Sequence, residues 1–580
     1  MQYSQAVLDV AKEFVFSSLG TSFTADETRA LRPFFTNLDR RVFFMHTLPP
    51  NIGATLLAMF SRMKNPRGLR GVWVESFLPQ FLATRLSTVE REFGGDEVAF
   101  LRAQNISNLG SFLASSEEAR QEFDHFLECC GADPQYLREF AESKKTRKFL
   151  TTWLDKYGHN SIARMASFWL CFEGVSLLAA KSIEWTRPGS GYIELSTRYV
   201  DMSTKGRYPI ERELAAGWSV NPETVVSFAD VLFRLYQELV GRNFTGPFPT
   251  FLRERYGGLY HNTPKDLETG VIGETCDILG NLLPASTLTS VGVCVSGEAF
   301  PMLLKHLLLD ETPENLTLVE LVLEEAAKIG AHQFARHFEP TAWDRAHWRY
   351  LSTRGWFDTG ASGEKGRVRI EHIGPFWRDS VEHTLLPLFP KESRPSPPFA
   401  YLMAHEPFTT ARDPYDKLPA EFEAVSFPFR GLMSFRGWRD LQRQGFCTHF
   451  RTYLTPDLGF YQYDKPAPPE LPTAFAEVHR SNRELDMLLQ GHDVPAMLRQ
   501  YSLALGNIVG FHIVANLRQW EFCTWQRTGW NVNHEVRKVF LAIEEGLRDL
   551  IPWWRRVSRA NTTPAYVFAR GDGAIPLPIE

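Results

Sequence analysis

The stretch that most constrains this chain is Tyr157–Asp201, which joins the longest apolar run, Met165–Ile183, to a short polar loop. The run is interrupted by Glu173 and Lys181. Those charges argue against a membrane span and predict a buried helix over 161–185 inside a large domain. Charges removed from water need partners, so Glu173 and Lys181 are expected in structural ion pairs. The loop 186–200 then closes on Glu194-x-Ser196-x-Arg198-Tyr199. Such a loop delivers a carboxylate, a hydroxyl and a guanidinium to one small volume. Arg198 suits a bidentate grip on phosphate or carboxylate. Glu194 and Ser196 suit the donors and acceptors of a polar ring. The plain alternative is a capping loop in which Arg198 pairs with Glu194.

A chain of 580 residues exceeds what one core usually holds, so two or more domains are expected. The net charge of −5 gives no basic excess for a nucleic-acid polymer. The first residues carry no basic stretch leading into an apolar core, so no signal peptide is expected. Seven cysteines at irregular spacing, with Cys171, Cys294 and Cys523 in apolar surroundings, read as reduced core thiols of a cytoplasmic protein. His332, His337 and His347 have no tetrahedral spacing, so no metal is expected.

The order of segments predicts three parts. Residues 1–150 read as a mostly helical extension, with Thr24 and Ser115 as candidate N-caps. Residues 151–355 form a first unit with a late helical run, Leu282–Leu309. A Gly- and charge-rich break, Arg354–Arg367, precedes a second unit over 365–580. Pro390–Pro398 reads as a surface loop. In the second unit a charged turn segment, Phe435–Pro456, stands where Glu184–Tyr199 stands in the first. An apolar helix, Tyr501–Arg527, stands where Leu282–Leu309 does. A final helix, Asn533–Leu550, carries Val536, Val539, Phe540, Ile543 and Leu547 at helical spacing. Repeated order predicts an internal duplication.

The Tyr157–Asp201 stretch resembles the flavin-dependent thymidylate synthases, the ThyX family, whose signature runs Arg-His-Arg, a spacer, Ser, and Glu-x-Ser-x-Arg-Tyr. The second half of that signature stands here. Glu184-Trp185-Thr186 occupies the place of Arg-His-Arg. In the second unit Arg443-Gln444-Gly445 holds that place, and Asn516-Leu517-Arg518-Gln519-Trp520 with Arg527 is similar to the family's C-terminal helix. Phe522 replaces an Asn of the family pattern. The resemblance also extends to a tandem two-repeat subfamily through Arg439–Arg443.

The resemblance implies an α/β (α+β) fold, two units of helices on a small antiparallel sheet. It implies FAD as cofactor, with methylene-tetrahydrofolate and NADPH as co-substrates. The implied activity is reductive one-carbon transfer to a pyrimidine nucleotide or related ring. Flavin-contacting roles fall to His159, Ser161, Asn516 and Arg518. Substrate-binding roles fall to Glu194, Ser196, Arg198, Arg443 and Arg527. His159 reads equally as a neighbour of a helix cap, and the alternative for Arg527 is an arginine stacked on tryptophan as a fold element. Each unit keeps a complementary half of the motifs, which implies one composite site per chain, with Thr452 and Leu307 at the corresponding decayed positions. It also implies a homodimer forming a pseudo-tetramer. The other readings are a nucleotide-binding or scaffold protein without flavin, and a flavoenzyme of secondary metabolism acting on another small molecule.

Overall fold

The computed structural model describes residues 3–352 except 49, 61–64, 131–147, 149, 153–159, 186–188, 198–199 and 260–263. It then describes residues 369–370, and 412–563 except 414–415, 419, 425 and 552–553. The expected linker at Arg354–Arg367 and loop at Pro390–Pro398 lie outside the described residues. Contacts divide the chain into two units. Unit 1 comprises Met1–Ser196, Thr204–Pro222 and Ser286–Ala342. Unit 2 comprises Thr197–Ser203, Glu223–Ala285 and Trp343–Glu580.

Unit 1 is built on an antiparallel sheet of β1 (Val42–Met45), β2 (Ser167–Ser176), β3 (Ser190–Glu194) and β4 (Leu288–Ser296), in the order β1-β2-β4-β3. Both faces are covered. Val42, Phe44, Leu170, Phe172, Val291, Val293 and Val295 face a core shared with the 300–309 and 313–327 helices. Phe43, Met45 and Cys171 face a second core with Leu57, Trp73 and Phe112 of the N-terminal helices. A strand covered on both faces reads as a continuous apolar run, as a buried helix does. The expected helix over 161–185 is therefore β2 followed by a short helix, Leu177–Ile183. A bulge at Gly174, where φ is +65°, lies between Glu173 and Val175.

The described residues before 150 are mostly helical, but they also supply β1 and the 5–16 helix, which packs on the 313–327 helix. Thr24 caps as expected, in a capping box with Glu27. The cap at the 117–130 helix comes from Ser116, one residue beyond Ser115.

Unit 2 has a sheet of the same design: β5 (Arg369–Ile370), β6 (Ser426–Ser434), β7 (Thr448–Arg451) and β8 (Ile508–Asn516), in the order β5-β6-β8-β7, all antiparallel. The expected helices Leu282–Leu309 and Tyr501–Arg527 are each a strand followed by a helix: β4 then 300–309, and β8 then 517–527. The last helix forms as expected over His534–Leu550, capped by Asn533. Residues 223–285, which chain order assigned to the first unit, cluster with the second. Asp277 pairs with Arg436 at 2.9 Å, and Glu274 meets His534 at 3.2 Å.

Matching details run through the two units. In each, a Ser ends the long strand and caps the next helix: Ser176 accepts from Ala179 N–H at 2.9 Å, and Ser434 from Gly437 N–H at 2.9 Å. In each, that Ser also donates to a glutamate, buried in unit 1 and half-buried in unit 2. Glu314 accepts from the Ser176 N–H and hydroxyl at 2.9 and 2.6 Å. Glu535 accepts from the Ser434 N–H at 2.6 Å and from its hydroxyl. Register pairs Ser167 with Ser296 and Ser426 with Asn516. Three residues before the first member and two after the second, unit 1 pairs Arg164 with Glu298 at 2.5 Å. Unit 2 pairs Glu423 with Arg518 at the same two places, with the signs exchanged.

Candidate functional site

Glu194 ends β3 and is fully buried. Its carboxylate accepts from Lys181 Nζ at 2.9 Å, and Lys181 also holds Glu184. All three side chains are at most 2% exposed. Lys181 and Glu184 stand three apart on the 177–183 helix and its cap, so the helix presents both to β3. The residue occupying the place of the first Arg of Arg-His-Arg is thus a carboxylate neutralised from within unit 1. Removing one member of a buried group like this typically costs about 3–5 kcal/mol, because a charge is left uncompensated. The other buried charge of this stretch, Glu173, pairs with Arg70 at 3.1 Å and accepts from Leu69 N–H at 2.8 Å. Both charges are therefore ion-paired, though on different elements from those expected. The i, i+3 spacing of Lys181 and Glu184 was the available signal.

Ser196 is half-buried two residues beyond β3. Arg198 and His159 lie outside the described residues. The division between units falls after Ser196, so residues 197–203 cluster with unit 2. There, the Met202 N–H donates to the Tyr236 hydroxyl at 3.4 Å. Ser161 is exposed on the Asn160–Arg164 helix of unit 1.

The remaining predicted residues belong to unit 2. Arg443 is exposed in the turn after the Phe435–Leu441 helix. Its neighbour Gln444 is buried, and the Gln444 oxygen accepts from Arg527 Nε at 2.7 Å and Nη2 at 2.9 Å. Residues 443–444 and Arg527 are thereby brought together. The sequence placed Gln444 in the middle of the Arg-His-Arg position but gave it no role, because its contact with Arg527 spans 83 positions. Asn516 caps the 517–527 helix, its side-chain oxygen accepting from Gln519 N–H at 2.8 Å. Arg518 pairs with Glu423, the two side chains 31% and 50% exposed. Phe522 packs on Trp525 with ring centres 5.9 Å apart, and Lys417 lies over Phe522 at 5.1 Å.

Register corrects the expected equivalences. Ser176 pairs with Leu288, and Ser434 with Ile508. Counting on, Glu194 opposite Val291 matches Arg451 opposite Phe511. Leu195, whose N–H donates to Ser290, then matches Thr452, whose N–H donates to Gly510 at 2.9 Å. Thr452 is thus a buried residue immediately after β7, matched with Leu195. Arg451 lies over the rings of Phe435 at 4.8 Å and Trp438 at 5.1 Å. The expected burial of Cys171 and Cys523 is found. Cys294 is exposed, because alternation along β4 turns Val293 and Val295 inward instead. A separate cleft of about 570 Å³ in unit 2 is lined by Trp343, His347, Tyr350, Phe450 and His512, and among the described residues none of the predicted site residues lines it. Among the described residues, no helix is long and apolar enough to cross a membrane.

A family model described as thymidylate synthase complementing protein matches residues 113–325. A UPF0159 protein of Chlamydia muridarum is 27% identical over 467 residues, covering 76% of this chain and 77% of the relative. A UPF0159 protein of Chlamydia pneumoniae is 25% identical over 532 residues, covering 86% and 88%. A UPF0159 protein of Thermoplasma acidophilum is 24% identical over 477 residues, covering 75% and 93%. Across residues 113–325 the chain is therefore similar to the thymidylate synthase complementing proteins, consistent with a divergent ThyX-like family.

Proposed function

We propose that this protein is a flavin-dependent enzyme of the thymidylate-synthase type, acting on a pyrimidine nucleotide or a related ring. The observation that carries the reading is the family match over the residues that hold Glu194 and Ser196. The two units are read as duplicated copies, supported by their common strand order, their paired Ser–Glu caps and the sign-exchanged ion pair. The chain's own contribution is placement and charge. Arg527, oriented by Gln444, holds an anionic group of the substrate, and exposed Arg443 extends the same positive surface. A bound flavin would supply the reducing equivalents for transfer of a one-carbon unit from methylene-tetrahydrofolate, with NADPH as the reductant. The residues present are compatible with it. Asn516 keeps its amide N–H groups while its oxygen caps the helix. The Arg518–Glu423 pair is solvent-accessible, so releasing Arg518 costs little. Ser161 presents an exposed hydroxyl.

A second reading is a nucleotide-binding or scaffold protein without flavin. It is favoured by Asn516 and Arg518 both being engaged by the protein itself. Flavin uptake decides between the two. The enzyme reading expects visible flavin absorbance in the purified protein, or quenching of added FAD fluorescence. A colourless protein that leaves FAD fluorescence unchanged at high micromolar concentration selects the second reading.

A further inference from the structure

Cys447 and Cys523 are both buried, and their sulfurs lie 3.9 Å apart in unit 2. Cys447 closes the turn that leads into β7, and Cys523 sits on the 517–527 helix. Cys523 Sγ also meets Gln519 Nε2 at 3.2 Å and the Gln444 amide at 3.2 Å. The oxygen of that same Gln444 amide is the group that accepts from Arg527. One side chain therefore joins the sulfur pair to the arginine. The turn itself is open. Phe446, next to Cys447, is 73% exposed, and a Cβ on Gly445 would meet nothing within 4 Å.

We propose that Cys447 and Cys523 form a hydroperoxide-sensitive thiol pair that closes reversibly to a disulfide and, through Gln444, sets the placement of Arg527. A disulfide has an S–S length of about 2.05 Å, so the sulfurs approach by roughly 2 Å, a movement the open turn accommodates. Cys447, beside the exposed turn, reacts first. Its sulfur attacks the peroxide, an S–O bond forms, the O–O bond breaks, and the departing oxygen leaves as water with the thiol proton. Cys523 sulfur then attacks the Cys447 sulfur. The S–S bond forms, the S–O bond breaks, and the second water carries away the Cys523 proton. Two thiols and one hydrogen peroxide give one disulfide and two waters, and a dithiol reductant reverses the change. The closing bond shifts Cys447 and Cys523, and with them the Gln444 amide that orients Arg527.

The test uses the full chain with Cys129→Ser, Cys130→Ser and Cys294→Ser, which removes both exposed thiols and the half-buried neighbour of the first. The protein is treated with equimolar hydrogen peroxide, alkylated under denaturing conditions, and followed by intact mass and peptide mapping. The expected result is loss of two hydrogens, loss of two alkylatable thiols, and a crosslinked peptide joining Cys447 to Cys523, all reversed by dithiothreitol. Adding Cys447→Ser abolishes the crosslink and leaves Cys523 alkylatable. Oxygen addition without the crosslink, or a crosslink between other cysteines, overturns the pair. The coupling is read separately as phenylglyoxal labelling of Arg527 before and after oxidation. Labelling unchanged by disulfide closure overturns the link through Gln444. Neither readout depends on a flavin.

Discussion

Among single residues, Glu213 shows how burial sets behaviour. It is 1% exposed on the Ile210–Trp218 helix and accepts a hydrogen bond from the Tyr208 hydroxyl. Burial raises its carboxyl to about 8; the Tyr208 hydrogen bond opposes the rise, and the Glu314 and Glu211 charges add to it. The folded state thus keeps a proton that the unfolded chain releases above about 4.5. Folding takes up a proton between those values, so stability falls as pH rises from 4.5 to 8, and the loss is complete above 8. Glu213→Gln is expected to flatten this slope and to stabilise the protein above pH 8 by a few kcal/mol. Denaturant midpoints across the pH window check it, and a variant with the parent's slope contradicts the assignment. Arg527 belongs to the same scale. Arg527→Ala is expected to weaken binding of a pyrimidine nucleotide roughly tenfold or more, the loss of one charge-assisted hydrogen bond. Titration calorimetry measures it, and an unchanged Kd removes Arg527 from the substrate site.

At the level of elements, the strand-to-helix junctions do the positioning. Ser176 and Ser434 each satisfy a helix N-terminus and present an N–H and a hydroxyl to one glutamate. In unit 1 the helix so started carries Lys181, which fixes Glu194. In unit 2 it leads into the turn of Arg443 and Gln444. Ser176→Ala and Ser434→Ala are each expected to cost about 1–2 kcal/mol, the worth of a cap. Chemical denaturation reads both, and a Ser434→Ala protein as stable as the parent breaks the equivalence of the two junctions. Unit 2 also has a buried charge cluster at the start of its last helix. Burial pushes Glu274 up, but His534 and Lys465 outweigh it and hold the carboxyl near 2. Burial pushes Lys465 down to about 8 against the pull of Glu274.

For the molecule as a whole, two units of one design in a single chain bear on assembly. If each stands for one subunit of a four-subunit ancestor, two chains complete it with closed twofold symmetry. Light scattering is expected to report a dimer of 66.3 kDa chains across micromolar concentrations. A monomer throughout that range counts against the pseudo-tetramer.

Read alone, the sequence was enough for the polar motif that ends at Glu194 and Ser196, the last helix and its periodic apolar face, and the need of Glu173 and Lys181 for partners. These are local or periodic signals, carried by neighbours in the chain. Only the tertiary structure decided that the apolar runs ending at Ile183, Leu309 and Arg527 are strands turning into helices. In the run ending at Ile183, two-sided burial of β2 erases the alternation that marks a strand. It also decided the long-range pairings: Glu194 on Lys181, residues 223–285 among those of unit 2, and Cys447 beside Cys523, 76 positions away. A pairing across that distance leaves no mark in either local segment, because it exists only once the intervening sheet has folded.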